Sequence, residues 1–438
     1  MKSQHPVAFS TPISAPKIPI GEEIQASSED MFLAAQEEDE DARLIALAES
    51  YEINGQSCVD DDETTLWLKY TQWPTRLANK PLDILSASAQ KPVPYASEYT
   101  LGSWTGHNFD SPAEDEAKLC ILMRAVDQMF ERMMQTLDKT HNRIRCWLGT
   151  YDETRFRSIP FMRPQKTDSE KRYIGVWKQF LCFVFRVWAT EEPLRDEIYG
   201  LQFHKREANL MDYIWSTLLE PYNSKDNGRD EADDTQLQHL SETVFQLSVC
   251  FWVFRSTTGD MYKSAIINFT AIMGIHRQAL VYKSAYCYTP VLSALIWIGR
   301  VLLLEYALPL QGYETLGQKW PARHCYDDQV KRFQGIRSRY MLRGGFHAMG
   351  ECIDMRAYGR AIVKKEGARA NLSWSGDGTS FSINDKKVQL LEFTSMHREV
   401  VTLVERSTMK LMFNWRPAID LCIVKDDLTR NTIGWSFV

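Results

Sequence analysis

The chain has 438 residues, 44% hydrophobic and 25% charged, with 13 Trp helping to bring the aromatic share to 12%. That balance excludes a fibrous or wholly disordered chain and supplies one large core or several ordinary ones. The net charge of −6 conceals an asymmetry: residues 21–63 hold 15 acidic side chains against Arg43 alone, a local −14 that leaves +8 for the rest.

Residues 1–63 combine a Pro/Ser-rich start with the acidic run EEDEDARLIALAES, and read as a disordered acidic segment that cannot build a core. The simpler reading of such a leader is solubilisation. The alternative is a tail that masks a basic surface by competing with its anionic partners. The opening MKSQHPVAFSTPISAPKIPIGEE has no apolar stretch before a small-residue cleavage site, which argues against secretion.

Order is expected from about residue 64, in a helical region over 64–225. Leu66, Trp67, Tyr70 and Trp73 fall at helical spacing, and Pro74 is expected to stop that helix. Over 114–139, Leu119, Leu122, Val126, Met129, Met133 and Leu137 form a stripe at three- and four-residue steps, after the start signal Ser111-Pro112. Tyr173 to Trp188 is apolar almost all round, so it is a central helix or a buried strand pair. The polar stretch 221–234, PYNSKDNGRDEADD, reads as an exposed loop and the best internal boundary.

Central buried helices are predicted over 236–310, at 236–255, 261–273 and 290–307. Thr289 should cap the last of these and Pro290 should open it. Its run Val291 to Leu304 is shorter than the ~20 apolar residues of a membrane span and carries Arg300, so no membrane partner is expected. Residues 311–438 read as a basic helical segment, then a small β-meander at 371–391 turning at Asp377-Gly378 and Asn384-Asp385. A helix from about 391 to 413 follows, with Val400, Leu403, Val404 and Leu411 on one side. The fold class is therefore mainly α: a large helical globular body with a small C-terminal β-meander. The apolar end NTIGWSFV suggests one segment of a longer architecture.

The motifs of common chemistry are missing. Gly259 to Ser264, GDMYKS, lacks the second glycine of a phosphate loop, and no G-x-S-x-G elbow occurs. The nine Cys are scattered without a C-x-x-C pair, which reads as reduced core thiols in an intracellular protein. The groupings His324-Cys325 and His347 with Cys352 lack the partner pair that a zinc tetrahedron needs. Asp420, Asp426 and Asp427 could gather metal ions as in a degenerate nuclease or recombinase, but acids in such a turn more commonly cap backbone. No cofactor, metal or catalytic residue is expected, and the chain reads as a non-enzyme.

One constellation points to a partner. Residues 331–369 carry ten basic side chains against Glu351, Asp354 and Glu366, a charge of +7, with Phe333, Tyr340, Phe346 and Tyr358 interleaved. Arginine beside aromatics suits phosphate contact with base stacking, and Gly344-Gly345 would let the backbone approach a ligand closely. Arg337, Arg339, Arg343, Arg356, Arg360, Lys364 and Lys365 are the candidate DNA- or RNA-contacting residues. The alternative is a pair of amphipathic helices whose arginines face water. A weaker cluster at 139–172 has nine basic and four acidic residues.

Several phrases carry a resemblance: TAIMGI at 270–275, YKSAYCYTPVLSALIWIGRVLLLEYALP at 282–309, FQGIRSRYMLRGG at 333–345, RAYGRAIVKKEG at 356–367, LSWSGDGTSFS, and IDLCIVKDDLTRNTIGWSF at 419–437. The chain resembles a fungal family that includes the orsellinic acid biosynthesis cluster protein D, and the non-motor region of telomere-linked RecQ-type helicases. Related sequence occurs in mobile-element remnants. The resemblance implies a non-enzymatic, nucleic-acid-associated module, intracellular and directed to the nucleus. It transfers no catalytic residue, and the Cys/His segment and motor domain of helicase-linked members have no counterpart here. The alternatives are a protein-interaction scaffold with an exposed apolar surface, and a degenerate metal-dependent nuclease or recombinase.

Overall fold

The computed structural model describes residues 65–92, 98–153, 157, 159–164, 166–218, 230–255, 260–313, 325–366, 372–374, 379–383 and 386–413. The acidic leader lies outside the described residues. The chain divides after Ala368 into two compact units, Met1–Ala368 and Arg369–Val438, so the polar stretch near 225 falls inside the first. Its last residues are helical, because α9 below begins at Asp230.

The first unit opens with α1, Leu66–Thr71, whose Leu68 N–H is capped by the Thr65 hydroxyl at 3.2 Å. Pro74 does not end this helix, contrary to the sequence expectation. Gln72 ends it, at φ 55°, and Pro74 sits in the first turn of α2, Trp73–Arg76, where a missing N–H costs nothing. The buried face also differs: Trp67, Leu68 and Thr71 point inward, while Leu66 and Tyr70 are exposed. After α3, Leu82–Ser88, comes a hairpin that sequence reading missed. β1, Glu98–Trp104, pairs antiparallel with β2, His107–Pro112. Its two-residue loop places both Thr105 and Gly106 at positive φ, the geometry that matches the natural strand twist.

α4, Ala113–Asp138, buries the whole predicted stripe from Leu119 to Leu137. α5, Asn142–Leu148, precedes α6, Thr167–Ala189, which settles the Tyr173–Trp188 stretch as helix. α7, Glu192–Ile198, α8, Lys205–Thr217, and α9, Asp230–Val253, follow. A single 3-10 turn, Met261–Lys263, leads into α10, Ala265–Met273.

The central element is α11, Ala285–Ala307, which packs against α4, α6 and α9 and also against α12, Tyr326–Tyr340, and α13, Ala348–Glu366. It starts five residues before Pro290, so the predicted Thr289 cap is a mid-helix residue instead. Tertiary packing draws in the extra turn: the Tyr288 hydroxyl donates to Thr270 O at 2.6 Å and its ring meets Trp73 edge-on at 4.6 Å. Gly299 permits the closest approach, because a Cβ there would lie 2.5 Å from Met349 Cε and 2.8 Å from the Trp252 ring. By length and composition α11 could cross a membrane, yet 94% of its most apolar window is buried inside the protein, as in a core helix.

The described cysteines Cys120, Cys146, Cys182, Cys250, Cys325 and Cys352 are free thiols. Cys287 on α11 is disulfide-bonded, against the expectation of uniformly reduced thiols. Spacing along the chain did not signal it, since disulfide pairing is set by tertiary proximity.

In the second unit, β3, Leu372–Trp374, β4, Ser380–Ile383, and β5, Lys386–Gln389, pair antiparallel in that order. The expected turn residues Asp377-Gly378 and Asn384-Asp385 lie outside the described residues. α14, Leu390–Leu411, then runs with Val400, Leu403, Val404 and Leu411 all exposed. The molecule is mainly helical, as its periodicity requires.

Candidate nucleic-acid interface

The basic segment forms the helix pair α12 and α13. α12 carries Asp327 and Asp328 in its first turn and Arg337 and Arg339 in its last, complementing the helix dipole at both ends. The connection turns at Gly344, φ 81°, with open space around it. Gly345 is needed because a Cβ would lie 2.5 Å from the His347 ring. These glycines therefore serve the turn itself, and Gly345 approaches His347 instead of a ligand.

Tertiary structure joins the two basic clusters of the sequence. Arg343 N donates to Tyr151 O at 3.0 Å, and α12 packs on α5. Arg337 is the deepest link. Only 2% exposed, it donates from Nε to Trp147 O at 3.2 Å and from Nη2 to Thr150 Oγ1 at 2.8 Å and Asp152 O at 2.6 Å. Its guanidinium also lies 5.0 Å from the Trp147 ring. This corrects the sequence assignment: Arg337 clamps the 147–152 turn and is not presented to a phosphate, because backbone carbonyls already use its donors.

The other candidates differ in presentation. Arg339 is exposed, and its carbonyl accepts from Arg255 Nη2 at 2.8 Å. Arg343 is exposed and ion-paired with Asp354, which raises its pKa. Arg356 is half-buried and reaches Ser293 Oγ on α11 at 3.5 Å, and Arg360 is half-buried one helical turn further on. Lys364 and Lys365 occupy the last turn of α13, and their side chains lie outside the described residues. Aromatic rings flank this face: Tyr70 stacks on Tyr358 at 4.0 Å, and Phe346 is 65% exposed.

Behind it stands a residue that the sequence offered only as an argument against a membrane span. Arg300, on α11, is 7% exposed, and its Nη2 has no hydrogen-bond partner among the described residues. Its guanidinium lies 5.8 Å from the Phe161 ring. Burial, followed by the charges of Arg356, Arg157 and Arg337, pulls its pKa down to about 9. A lone cation within an apolar run was the available signal. What it could not reveal is that its neighbours are arginines.

His347, at the start of α13, is buried and accepts the Gly350 N–H on Nδ1 at 3.1 Å. Burial, with Arg255 nearby, lowers its pKa to about 4, so it is a neutral structural imidazole. Cys352 lies on the same helix, where burial drives its thiol pKa up. No three His, Cys, Asp or Glu side chains gather to hold a metal ion among the described residues. Asp420, Asp426 and Asp427 lie outside them. Set against known protein families, curated proteins and solved structures, the chain matches none.

Proposed function

We propose that this protein is a non-enzymatic module that binds DNA or RNA through the α12–α13 face and the 139–172 segment packed on it. The observation that carries this reading is Arg300, a buried guanidinium whose surrounding charges are Arg356, Arg157 and Arg337 and whose Nη2 lacks a partner among the described residues. A phosphate approaching this region would relieve that repulsion, a benefit that a neutral ligand cannot supply. Arg339, Arg343, Arg356 and Arg360 supply the outer contacts, with Lys364 and Lys365 extending them along α13. Tyr358, Tyr70 and Phe346 offer rings on which bases could stack, which favours single strands. Nuclear location belongs to the same reading and rests on the resemblance alone.

The test is fluorescence anisotropy with single- and double-stranded DNA and RNA across a salt series. Replacing Arg339, Arg343 and Arg360 together by Glu should weaken binding at least ~10-fold and lower the salt slope by about one per lost phosphate contact. Unchanged affinity in a folded triple variant would sink the reading. Deleting residues 1–63 should tighten binding if the leader masks this face.

One observation favours the scaffold instead. α14 exposes Met396, Val400, Leu403, Val404 and Leu411 at helical spacing, the pattern of a helix that pairs with another. Under this reading two copies pair through α14, and sedimentation would show a dimer that Leu403→Glu with Val404→Glu dissolves.

A further inference from the structure

A cleft of about 440 Å³ opens on another face of the first unit, between the end of α3, α6, and the loop joining α10 to α11. We propose that it is a binding site for a small organic anion with a hydrogen-bonding ring, of the size and chemistry of a nucleoside monophosphate. Its volume falls within the range of small-ligand sites.

Three features of the walls define that ligand. Arg277 and Lys283 bring two cationic side chains to the cleft, and no carboxylate lines it among the described residues. Gln90, Gln179 and Gln278 present amides, which offer both donors and acceptors to the edge of a polar ring. Ile272, Met273 and Ile275 provide an apolar surface for the ring's face. A bare inorganic anion would use only the first of these, and an apolar molecule only the third.

The cleft is also built to hold its shape. The loop is pinned as a small hairpin: His276 N donates to Val281 O at 2.7 Å, Lys283 N to Gly274 O at 2.7 Å, and Ala279 N to His276 Nδ1 at 3.2 Å. Gly274 anchors its base, since a Cβ there would lie 2.4 Å from the Trp73 ring. Arg277 Nη2 donates to the Tyr99 hydroxyl at 3.3 Å, which donates in turn to Ala87 O at 3.2 Å, so the cation is already oriented beside the opposite wall. The buried Arg186 donates to the carbonyls of Ser88 and Gln90 and fixes that wall, while its own charge is met by Glu116. A site ordered before its ligand arrives loses little conformational freedom on binding.

The experiment is calorimetric titration of the full chain with AMP, adenosine and inorganic phosphate, repeated on Lys283→Met, Arg277→Gln and Met273→Trp. Saturable 1:1 binding of AMP is expected, with adenosine and phosphate each at least ~10-fold weaker because each lacks one of the required contacts. Lys283→Met and Met273→Trp should each weaken AMP at least ~10-fold, while oligonucleotide anisotropy on the α12–α13 face stays unchanged. Arg277→Gln keeps a donor for Tyr99 and should give a smaller loss. No saturable AMP binding at millimolar concentration would overturn the proposal. So would phosphate binding as well as AMP, or AMP affinity indifferent to both Lys283→Met and Met273→Trp in variants whose thermal unfolding matches the parent.

Discussion

Two interior regions each hold a buried arginine and treat it in opposite ways. Between α4 and α6, Arg186 is 2% exposed in its side chain and meets Glu116 through two bonds, at 2.9 Å and 2.7 Å, with carbonyls taking both Nη1 hydrogens. Between α11 and α13, Arg300 is similarly deep but is surrounded by cations and leaves Nη2 without a described partner. Burying a charge is costly, and the cost is recovered only when hydrogen bonds and counter-charge replace water. The first region has both and serves architecture. The second shows no counter-charge for Arg300 among the described residues, and its nearest charges there are the cations Arg356, Arg157 and Arg337. Arg337 stands between these cases, with every described hydrogen bond going to a neutral oxygen.

The largest effect should come from breaking the satisfied pair. Glu116→Gln leaves Arg186 buried without its counter-charge, and should cost about 3–5 kcal/mol in urea unfolding. The double change Glu116→Leu with Arg186→Met should recover most of that loss. If the single change costs nothing, the contrast between the two regions fails.

Arg337→Met comes next. It removes the buried guanidinium's bonds to Trp147 O, Thr150 Oγ1 and Asp152 O, and should lower stability by about 2–3 kcal/mol at an unchanged denaturant slope.

His347 extends the comparison to a buried base that titrates in an accessible range. Its pKa is about 4 in the folded chain against 6.5 for the free side chain, so the unfolded state binds more protons between those values. Stability should therefore fall as pH drops from 6.5 towards 4, with this residue accounting for about 2 kcal/mol at pH 5. His347→Gln should flatten that part of the acid limb, and an unaltered limb would assign the loss to other groups.

The smallest stability effect belongs to Arg300. Arg300→Met removes a buried charge with no described ion-pair partner, and should change unfolding free energy by no more than about 1 kcal/mol, in either direction. The same substitution should weaken oligonucleotide binding measured by anisotropy. A loss above about 3 kcal/mol would mean that Arg300 is as firmly paired as Arg186, and the comparison would collapse.

Periodicity made much of the helical body legible. The stripe of α4 and the apolar run of α11 both emerge as buried helices, because burial of one face or of all faces leaves a repeating pattern. Boundaries were less legible. Pro74 and Pro290 read as stop and start signals, yet one opens α2 and the other lies within α11, where packing of Tyr288 outweighs local preference. The β1–β2 hairpin escaped because Thr105-Gly106 is a weaker turn signal than Asn-Gly, and because its strands are only partly buried and so carry little apolar alternation.

The sequence by itself determined that this chain is mainly helical, that its charge is split between an acidic leader and a basic body, and that aromatic-rich helices fill its core. These follow from composition and from the spacing of apolar residues, which are local properties. Only the tertiary structure decided what each charge does. Arg337 and Arg300 are both arginines near apolar or aromatic residues, but one finds carbonyls from the end of α5 and the turn after it, and the other finds Arg356 and Arg157. Whether a buried cation is satisfied depends on groups far away in the chain, 70 residues from Arg186 to Glu116 and 190 from Arg337 to Trp147, and distance in space is what sequence spacing does not encode.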